Sequence, residues 1–382
     1  MKKIKISITT GTRAEYGILK PLLDEINKSK KLQLNLIVTG SHLSKNHGNT
    51  IKEIRKDGFK ISAKINMIPK KDSAKYTTIA IGKGIIEFSK YFTKIKPNFN
   101  IIIGDRYEML ASAIVAYHQN IPNIHIHGGD KSGGVDEYTR HAITKMSNIH
   151  FTATKNSTIR VKKMGENPKY VLQVGSLSID EIVKNRITPL EKINVKYKLN
   201  LTGNEILVLQ HPDTNESHKS QEQITATLKS VLKTKYKVII IGPNIDTGNN
   251  KILKTIQKFS KKYSRIKFFK SLPREDYLGL LKNCRLLIGN SSSGIIESTL
   301  FKTSVINIGE RQKGRDRGPN VINVMKFSQK LISAALKKAL AIQKSDLKIS
   351  HIYGSGNAAK EIVSYLEKIN IEQKLLKKEI VY

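Results

Sequence analysis

The sequence predicts an α/β protein of two doubly wound domains facing each other across a cleft. Three observations lead there. The chain has 382 residues, room for two domains at about 150 residues each. Short Val/Ile/Leu runs alternate with helix-period segments in the first third, and the alternation resumes after a polar stretch. Continuous apolar runs of this kind are strands of a parallel sheet covered on both faces. Finally, polar clusters follow the predicted strands, where open α/β sheets bind ligands.

In the first half, Ile4–Thr10 reads as a strand and Ile18–Lys28 as a helix with Leu19, Leu22, Leu23 and Ile26 on one face. Strands follow at Leu32–Val38, Phe99–Ile103 and Asn123–His127, with helices over Tyr107–His118 and Asp136–Ser147. In the second half the strands are Glu205–Leu209, Lys237–Ile241, Arg285–Ile288 and Ser304–Ile308, and the helices Gln221–Leu232, Ile252–Phe259 and Pro273–Leu281. The polar segment Asn185–Asn204, with Pro189 and Gly203, reads as the connection between halves. The expected division is residues 1–185, 186–355 and a closing helix, Ala358–Lys368, that packs back on one half.

Composition narrows the class further. A content of 39% hydrophobic residues and 10 prolines excludes collagenous and mainly disordered chains. One cysteine, Cys284, excludes a disulfide scaffold and a thiolate metal cluster. No apolar stretch reaches the roughly 18 residues of a membrane span, and the N-terminus lacks a signal-peptide core, so a cytoplasmic location is expected. The net charge of +36 comes from 67 basic and 31 acidic side chains, but only 12 of the basic residues are Arg. The lysines are spread along the whole chain and Trp is absent, so base readout and stacking lack their usual residues. No nucleic-acid partner is expected, although a positive field suits an anionic small molecule.

Five polar clusters carry the chemistry. Thr10-Gly-Thr-Arg-Ala-Glu-Tyr-Gly17 follows the first strand: Gly11 allows a tight turn and Arg13 stands at the sheet's mouth, to bind an anion or only to be solvated. Gly104-Asp-Arg-Tyr-Glu108 places Asp105 either as a helix cap or as an acid/base carboxylate beside an anion clamp. His125-Ile-His-Gly-Gly-Asp130 directs His125 and His127 to one face by strand alternation, and its two glycines would let a ligand reach the backbone. Asp136 and Arg140 share a helix face, as a site pair or as a surface ion pair. A metal reading of the H-x-H is unspecific, because no further ligand is placed.

The fourth cluster joins His211-Pro-Asp-Thr to Gly242-Pro-Asn-Ile-Asp-Thr-Gly248, a His at a strand end suited to phosphate contact or proton transfer. The fifth is Gly289-Asn-Ser-Ser-Ser-Gly294 with Glu297, followed by Gly309-Glu-Arg-Gln-Lys-Gly-Arg-Asp-Arg317. Small hydroxyl residues opening a helix make a phosphate cradle, and Glu297 could accept two ribose hydroxyls, unless it merely closes a capping box. A serine cradle, a ribose-type carboxylate and arginines together describe a nucleoside-diphosphate site closed between two domains.

These motifs, in this order, resemble the hydrolysing UDP-N-acetylglucosamine 2-epimerases of sialic-acid and related nonulosonic-acid biosynthesis. The match runs through T-G-T-R-A-E-Y-G, T-G-S-H-L, H-G-N-T-I, G-D-R-Y-E, H-I-H-G-G, R-H-A-I-T-K-M-S, G-N-S-S-S-G and N-I-G-E-R-Q-K-G-R, over about residues 1–320. The resemblance implies a GT-B-like pair of Rossmann-like domains, no metal or redox cofactor, and a homodimer or homotetramer. It implies a UDP-sugar substrate: UDP is expelled to leave a 2-acetamidoglucal, water adds, and the C2-inverted sugar leaves. N-acetylmannosamine is the product if the sugar is N-acetylglucosamine, the first expectation. UDP-N,N′-diacetylbacillosamine is the alternative substrate, and a glycosyltransferase of the same architecture the alternative of another class.

The chemistry suits such residues. The C2 hydrogen is not acidic, so UDP departure leads, charge builds at C1, and carboxylates stabilise it and take the proton. By resemblance Asp105 and Asp136, with Arg140, are at the sugar. His211 and Arg13 meet the diphosphate, Ser291 and Ser292 hold phosphates, and Glu297 holds the ribose. Arg106, Asn244 and Arg311 complete the UDP site. Many relatives carry a catalytic Glu at the place of His127; here His127 or the nearby Asp130 would take that proton step.

Overall fold

In the computed structural model the described residues are all but 1–2, 45–49, 72, 134, 185–186, 245, 371–372 and 382. Residues 47–49 of the H-G-N-T-I motif therefore lie outside the described residues. The chain divides into two compact units. The first comprises Met1–Asp130, Asp136–Glu181 and Tyr353–Tyr382; the second comprises Lys131–Val135 and Ile182–Ile352. Among the described residues no helix is long and apolar enough to cross a membrane.

The first unit is built on seven parallel strands: β1 (Ile4–Thr10), β2 (Leu32–Thr39), β3 (Ile61–Ile65), β4 (Phe99–Ile103), β5 (Asn123–Ile126), β6 (Ile149–Thr152) and β7 (Val171–Gln173). Their order in the sheet is β3-β2-β1-β4-β5-β6-β7. Its helices are α1 (Arg13–Lys28), α2 (Ile51–Lys56), α3 (Ala74–Ile95), α4 (Tyr107–His118), α5 (Val135–Lys145) and α6 (Lys155–Lys163), with α7 (Leu177–Val183) leading out of the unit. Ile6 and Ile8 of β1 and Ile101 of β4 pack with Leu19, Leu22 and Leu23 of α1. Ile37, Phe88, Phe92 and Val115 form a separate buried cluster with α3 and α4.

The second unit has six parallel strands, β8 (Ile206–Leu209), β9 (Val238–Ile241), β10 (Ile266–Phe269), β11 (Leu286–Gly289), β12 (Ser304–Ile308) and β13 (Val321–Val324), in the order β10-β9-β8-β11-β12-β13. Its helices are α8 (Leu190–Tyr197), α9 (Ser220–Val231), α10 (Asn249–Lys262), α11 (Arg274–Asn283), the short α12 (Ser293–Ile296) and α13 (Ser298–Phe301), and α14 (Gln329–Ala341). Each sheet reverses its strand order once, between β1 and β4 and between β8 and β11. Loops leaving the two central strands diverge there, which opens a crevice at the strands' carboxyl ends.

The last long helix, α15 (Ala358–Leu366), belongs to the first unit. Its first amides, of Ala358 and Ala359, donate to the fully buried carboxylate of Asp180 at 3.1 and 2.8 Å. Ile362 and Leu366 then join the core beside α1.

Several sequence expectations are corrected here. The segment expected to be a plain connection contains α8, anchored when Asp276 accepts Lys196 Nζ and Thr188 Oγ1, each at 2.6 Å. The first helix starts at Arg13 rather than Ile18, because Thr12 and Glu15 form a reciprocal capping box. The strand expected over Asn123–His127 stops at Ile126, because His127 takes a left-handed φ of 63°. His127 therefore does not continue the face of His125. Strands β3, β6, β7, β10 and β13 go beyond the expected set; they are short and mostly lie near sheet edges.

Candidate active site

At the first unit's switch point, the turn after β1 lies beside the one after β4. Glu15 Oε2 accepts the amides of Gly11 and Thr12 at 3.0 and 2.9 Å. Arg106, just before α4, donates to the fully buried Glu108 at 3.1 Å, and its Nε lies 3.9 Å from Glu15 Oε1. Gly40 makes this packing possible: a Cβ there would stand 2.6 Å from both Glu108 Oε1 and the Gly11 carbonyl oxygen. Burial, reinforced by Glu108 and Asp105, pushes the Glu15 carboxyl up to about 7 despite Arg106. Arg13 opens α1 and pairs with Glu53 of α2, at 2.9 and 2.5 Å.

Asp105 and Arg140 form an ion pair, and Arg140 also donates to the Asp130 carbonyl at 2.7 Å. The Arg140 side chain is 2% exposed and that of Asp105 22%. Burial alone would lower the Arg140 pKa, but Asp105 and Asp130 outweigh it and raise it. Asp136 stands in the first turn of α5, one turn before Arg140, and adds to the field on it. Arg140 is thus an internal residue rather than part of a surface pair, because α5 packs its Arg140 face inward.

His125 is fully buried, with Nε2 donating to the Gly104 carbonyl at 2.8 Å and Nδ1 3.0 Å from Thr144 Oγ1. Burial lowers its pKa to about 3, so it is neutral, and both ring nitrogens are engaged. Among the described residues no group of three metal-ligating side chains converges. The two glycines after His127 serve packing rather than ligand approach. A Cβ on Gly128 would lie 2.8 Å from the His125 ring, and one on Gly129 would run into the Ser157 carbonyl oxygen. Asp130 is buried and accepts Ser157 Oγ at 2.7 Å, whereas His127 is half-buried at the end of β5.

The second unit's switch point is built around Asn290. Its Oδ1 accepts the His211 amide at 2.7 Å and its Nδ2 donates to the His211 carbonyl at 2.9 Å, tying the end of β8 to that of β11. Gly289 makes room, with a φ of 151° and a Cβ position that would collide with the Leu209 carbonyl. The amide of Asn244, after β9, donates to His211 Nδ1 at 3.1 Å. Ser291 and Ser292 precede α12, and Glu297 joins α12 to α13 with α-helical dihedrals. Glu297 Oε1 accepts Arg274 at 2.9 Å, while its buried Oε2 has no hydrogen-bond partner among the described residues. Arg311 and Gln312 both donate to the Asn290 carbonyl, at 3.3 and 3.1 Å.

Of the residues the sequence points to, His211, Asn244, Ser291, Ser292, Glu297 and Arg311 belong to the second unit. Arg13, Arg106, Asp105, His127, Asp130, Asp136 and Arg140 belong to the first. Glu15, Glu53, Glu108, Arg274 and Asn290 join these networks without having been singled out. Glu15 carried a local signal, the T-x-x-E capping box, and Glu108 has a local partner in Arg106; Glu53, Arg274 and Asn290 acquire theirs from residues distant in the chain.

The pattern of a family described as UDP-N-acetylglucosamine 2-epimerase matches residues 24–367. The chain is 36% identical over 374 residues, 98% of both chains, to the UDP-N,N′-diacetylbacillosamine 2-epimerase (hydrolyzing) of Legionella pneumophila. It is 32% identical over 366 residues, 96% of this chain and 95% of the other, to the UDP-N-acetylglucosamine 2-epimerase of Neisseria meningitidis serogroup B. The crystal structure of the UDP-GlcNAc 2-epimerase from Neisseria meningitidis bound to UDP-GlcNAc matches with a TM-score of 0.81 at 17% identity, covering 96% of this chain and 100% of that one. The expected class, an α/β protein of two Rossmann-like domains in the GT-B manner, stands.

Proposed function

The chain belongs to the hydrolysing UDP-N-acetylglucosamine 2-epimerase family, and from that premise we propose that it expels UDP from a UDP-linked 2-acetamido sugar and releases the C2-inverted sugar. The observation that carries this reading is the Asp105–Arg140 pair: a partly exposed carboxylate at a strand's carboxyl end, oriented by a buried arginine. A carboxylate so held can face positive charge building at C1 without reorganising.

The second unit holds the nucleotide. His211 Nδ1 accepts the Asn244 amide, so the ring proton sits on Nε2 as a donor for a diphosphate oxygen. Ser291 and Ser292 hold phosphate oxygens at the opening of α12, and Arg311 and Asn244 close around them. Glu297 takes a ribose hydroxyl on its buried Oε2. The first unit acts on the sugar, and Arg13 and Arg106 meet the departing diphosphate. Asp105 stabilises the developing charge, and Asp136 and His127 share the proton transfers at C2. Asp130, tied to Ser157 and Arg140, supports that arrangement rather than exchanging protons itself.

Of the two sugars, UDP-N,N′-diacetylbacillosamine comes first, supported by the 36% against 32% identity to the relatives named for each sugar. UDP-N-acetylglucosamine, first on sequence alone, is the second reading and is supported by the family description. A homodimer or homotetramer and a cytoplasmic location belong to the same proposal. Assaying UDP release from both sugars side by side tests the order. A higher kcat/KM for the diacetylated sugar supports it, and the reverse ranking restores N-acetylglucosamine. Release from neither would remove the activity.

A further inference from the structure

Helix α5 carries Asp136 and Arg140 in its first half, and its last carbonyls need partners from outside the helix. They find one in the C-terminal tail. Lys378 Nζ donates to the carbonyls of Lys145, Ser147 and Thr144 at 2.6, 2.8 and 3.3 Å. The same ammonium lies 2.6 Å from Glu166 Oε2. A cation at a helix's carboxyl end is also favoured by the helix dipole.

Glu166 is the buried centre of this cluster. It is 2% exposed, and Lys145 and His150 also meet it, at 2.8 and 3.0 Å. Lys145, the last residue of α5, donates in addition to the Met164 carbonyl at 3.0 Å. One carboxylate therefore gathers the end of α5, strand β6 and the tail. The tail is fastened on both sides of Lys378. Asn148 Nδ2 donates to the Leu375 carbonyl at 2.8 Å, and the Val381 amide donates to the Gly165 carbonyl at 3.0 Å.

We propose that Lys378 is a positioning residue of the reaction: by clamping the carboxyl end of α5 it holds the helix that presents Asp136 and Arg140. The inference rests on the epimerase reading of the previous section. Lys378 touches neither Asp136 nor Arg140; its action passes along the helix, whose hydrogen-bonded backbone transmits a shift at one end to the other. Misplacement of a reacting group by about 1 Å costs roughly 100-fold in rate, so a partial loosening has a visible kinetic cost.

Full-length Lys378→Met and Lys378→Arg, with Asn148→Ala as a milder release of the tail, test this. Lys378→Met is expected to lower kcat about ten-fold while leaving the Kd for UDP within about two-fold, because α5 carries none of the nucleotide residues: Arg13 and Arg106 stand at α1 and before α4, and the others lie in the second unit. Lys378→Arg, which keeps a cation with several donors, recovers most of the rate. Asn148→Ala shows a smaller loss of kcat with the same unchanged UDP affinity. Hydrogen exchange of the α5 amides over 136–140 provides a second readout that needs no turnover, and Lys378→Met is expected to speed it about ten-fold. Normal kcat and unchanged α5 exchange in Lys378→Met, or in Asn148→Ala should Lys378→Met not fold, would overturn the proposal. Absence of turnover by the wild-type chain sinks the epimerase reading instead, and the exchange measurement then still decides whether the tail holds α5.

Discussion

Arg140 holds Asp105 from the protein side: the guanidinium is 2% exposed, the carboxylate 22%, and Arg140's second hydrogen bond goes to the Asp130 carbonyl. The asymmetry matters. The carboxylate is the member of the pair that meets solvent, while the buried guanidinium is committed to orienting it. Asp105→Asn keeps the shape but removes the charge. We expect kcat to fall by about 100- to 1000-fold with the Kd for UDP nearly unchanged, by steady-state kinetics and calorimetry. Near-normal turnover would remove Asp105 from the reaction.

In the second unit the corresponding fastening is neutral. Asn290 exchanges two hydrogen bonds with the His211 backbone, at 2.7 and 2.9 Å, and is itself buried. Asn290→Ala loses both and leaves the half-buried His211 amide and carbonyl without these partners, at a cost of about 2 kcal/mol. Because His211 is then no longer held, UDP binding weakens too. Denaturant unfolding and UDP titration check the two effects, and a variant with normal UDP affinity would detach Asn290 from the site.

The ribose assignment has its own test. Glu297→Gln retains an oxygen for Arg274 but replaces one carboxylate oxygen with an amide donor. UDP affinity is expected to drop about ten-fold, and the drop should shrink for 2′,3′-dideoxy-UDP, which lacks the hydroxyls concerned. Equal losses for both nucleotides would place Glu297 elsewhere.

A pH effect follows from Glu15, whose carboxyl is raised to about 7, chiefly by burial and against the pull of Arg106. A raised carboxyl means the folded chain keeps a proton that the unfolded chain has released. Above the ordinary carboxylate range the stability therefore declines as pH rises, and the decline ends near the folded value. The whole effect is bounded at about 3 kcal/mol. Glu15→Gln still accepts the Gly11 and Thr12 amides through its amide oxygen but carries no such cost. Its stability relative to wild type should therefore rise between pH 5 and pH 8 in chemical denaturation. A difference that stays constant over that range would contradict the burial of this carboxyl.

Much of this was legible in the sequence, and the exceptions have physical causes. The buried strands announced themselves through unbroken runs such as Phe99–Ile103, every residue of which is buried. The motif positions followed because open α/β sheets put their loops at the carboxyl ends of such strands. Helix α3 carried a confusing signal: Gly84 lowers helix propensity, yet a Cβ there would press on Met67 at 2.7 Å, so the glycine answers packing and not the local backbone. His127 misled the alternation argument, since one left-handed residue ends the strand before its side chain can join His125. The role of Asn290 was invisible for another reason. Its partner lies 79 positions away, and only the pairing of β8 with β11 brings the two together.

The measurement that bears most directly on the central claim is proton NMR of the full reaction in deuterated water. Supplied with its UDP-sugar, the chain should release UDP and a free C2-inverted sugar that carries deuterium at C2, since the C2 proton is taken and a solvent deuteron returned. A free sugar that keeps its original C2 hydrogen, or an inverted sugar still attached to UDP, would contradict the account.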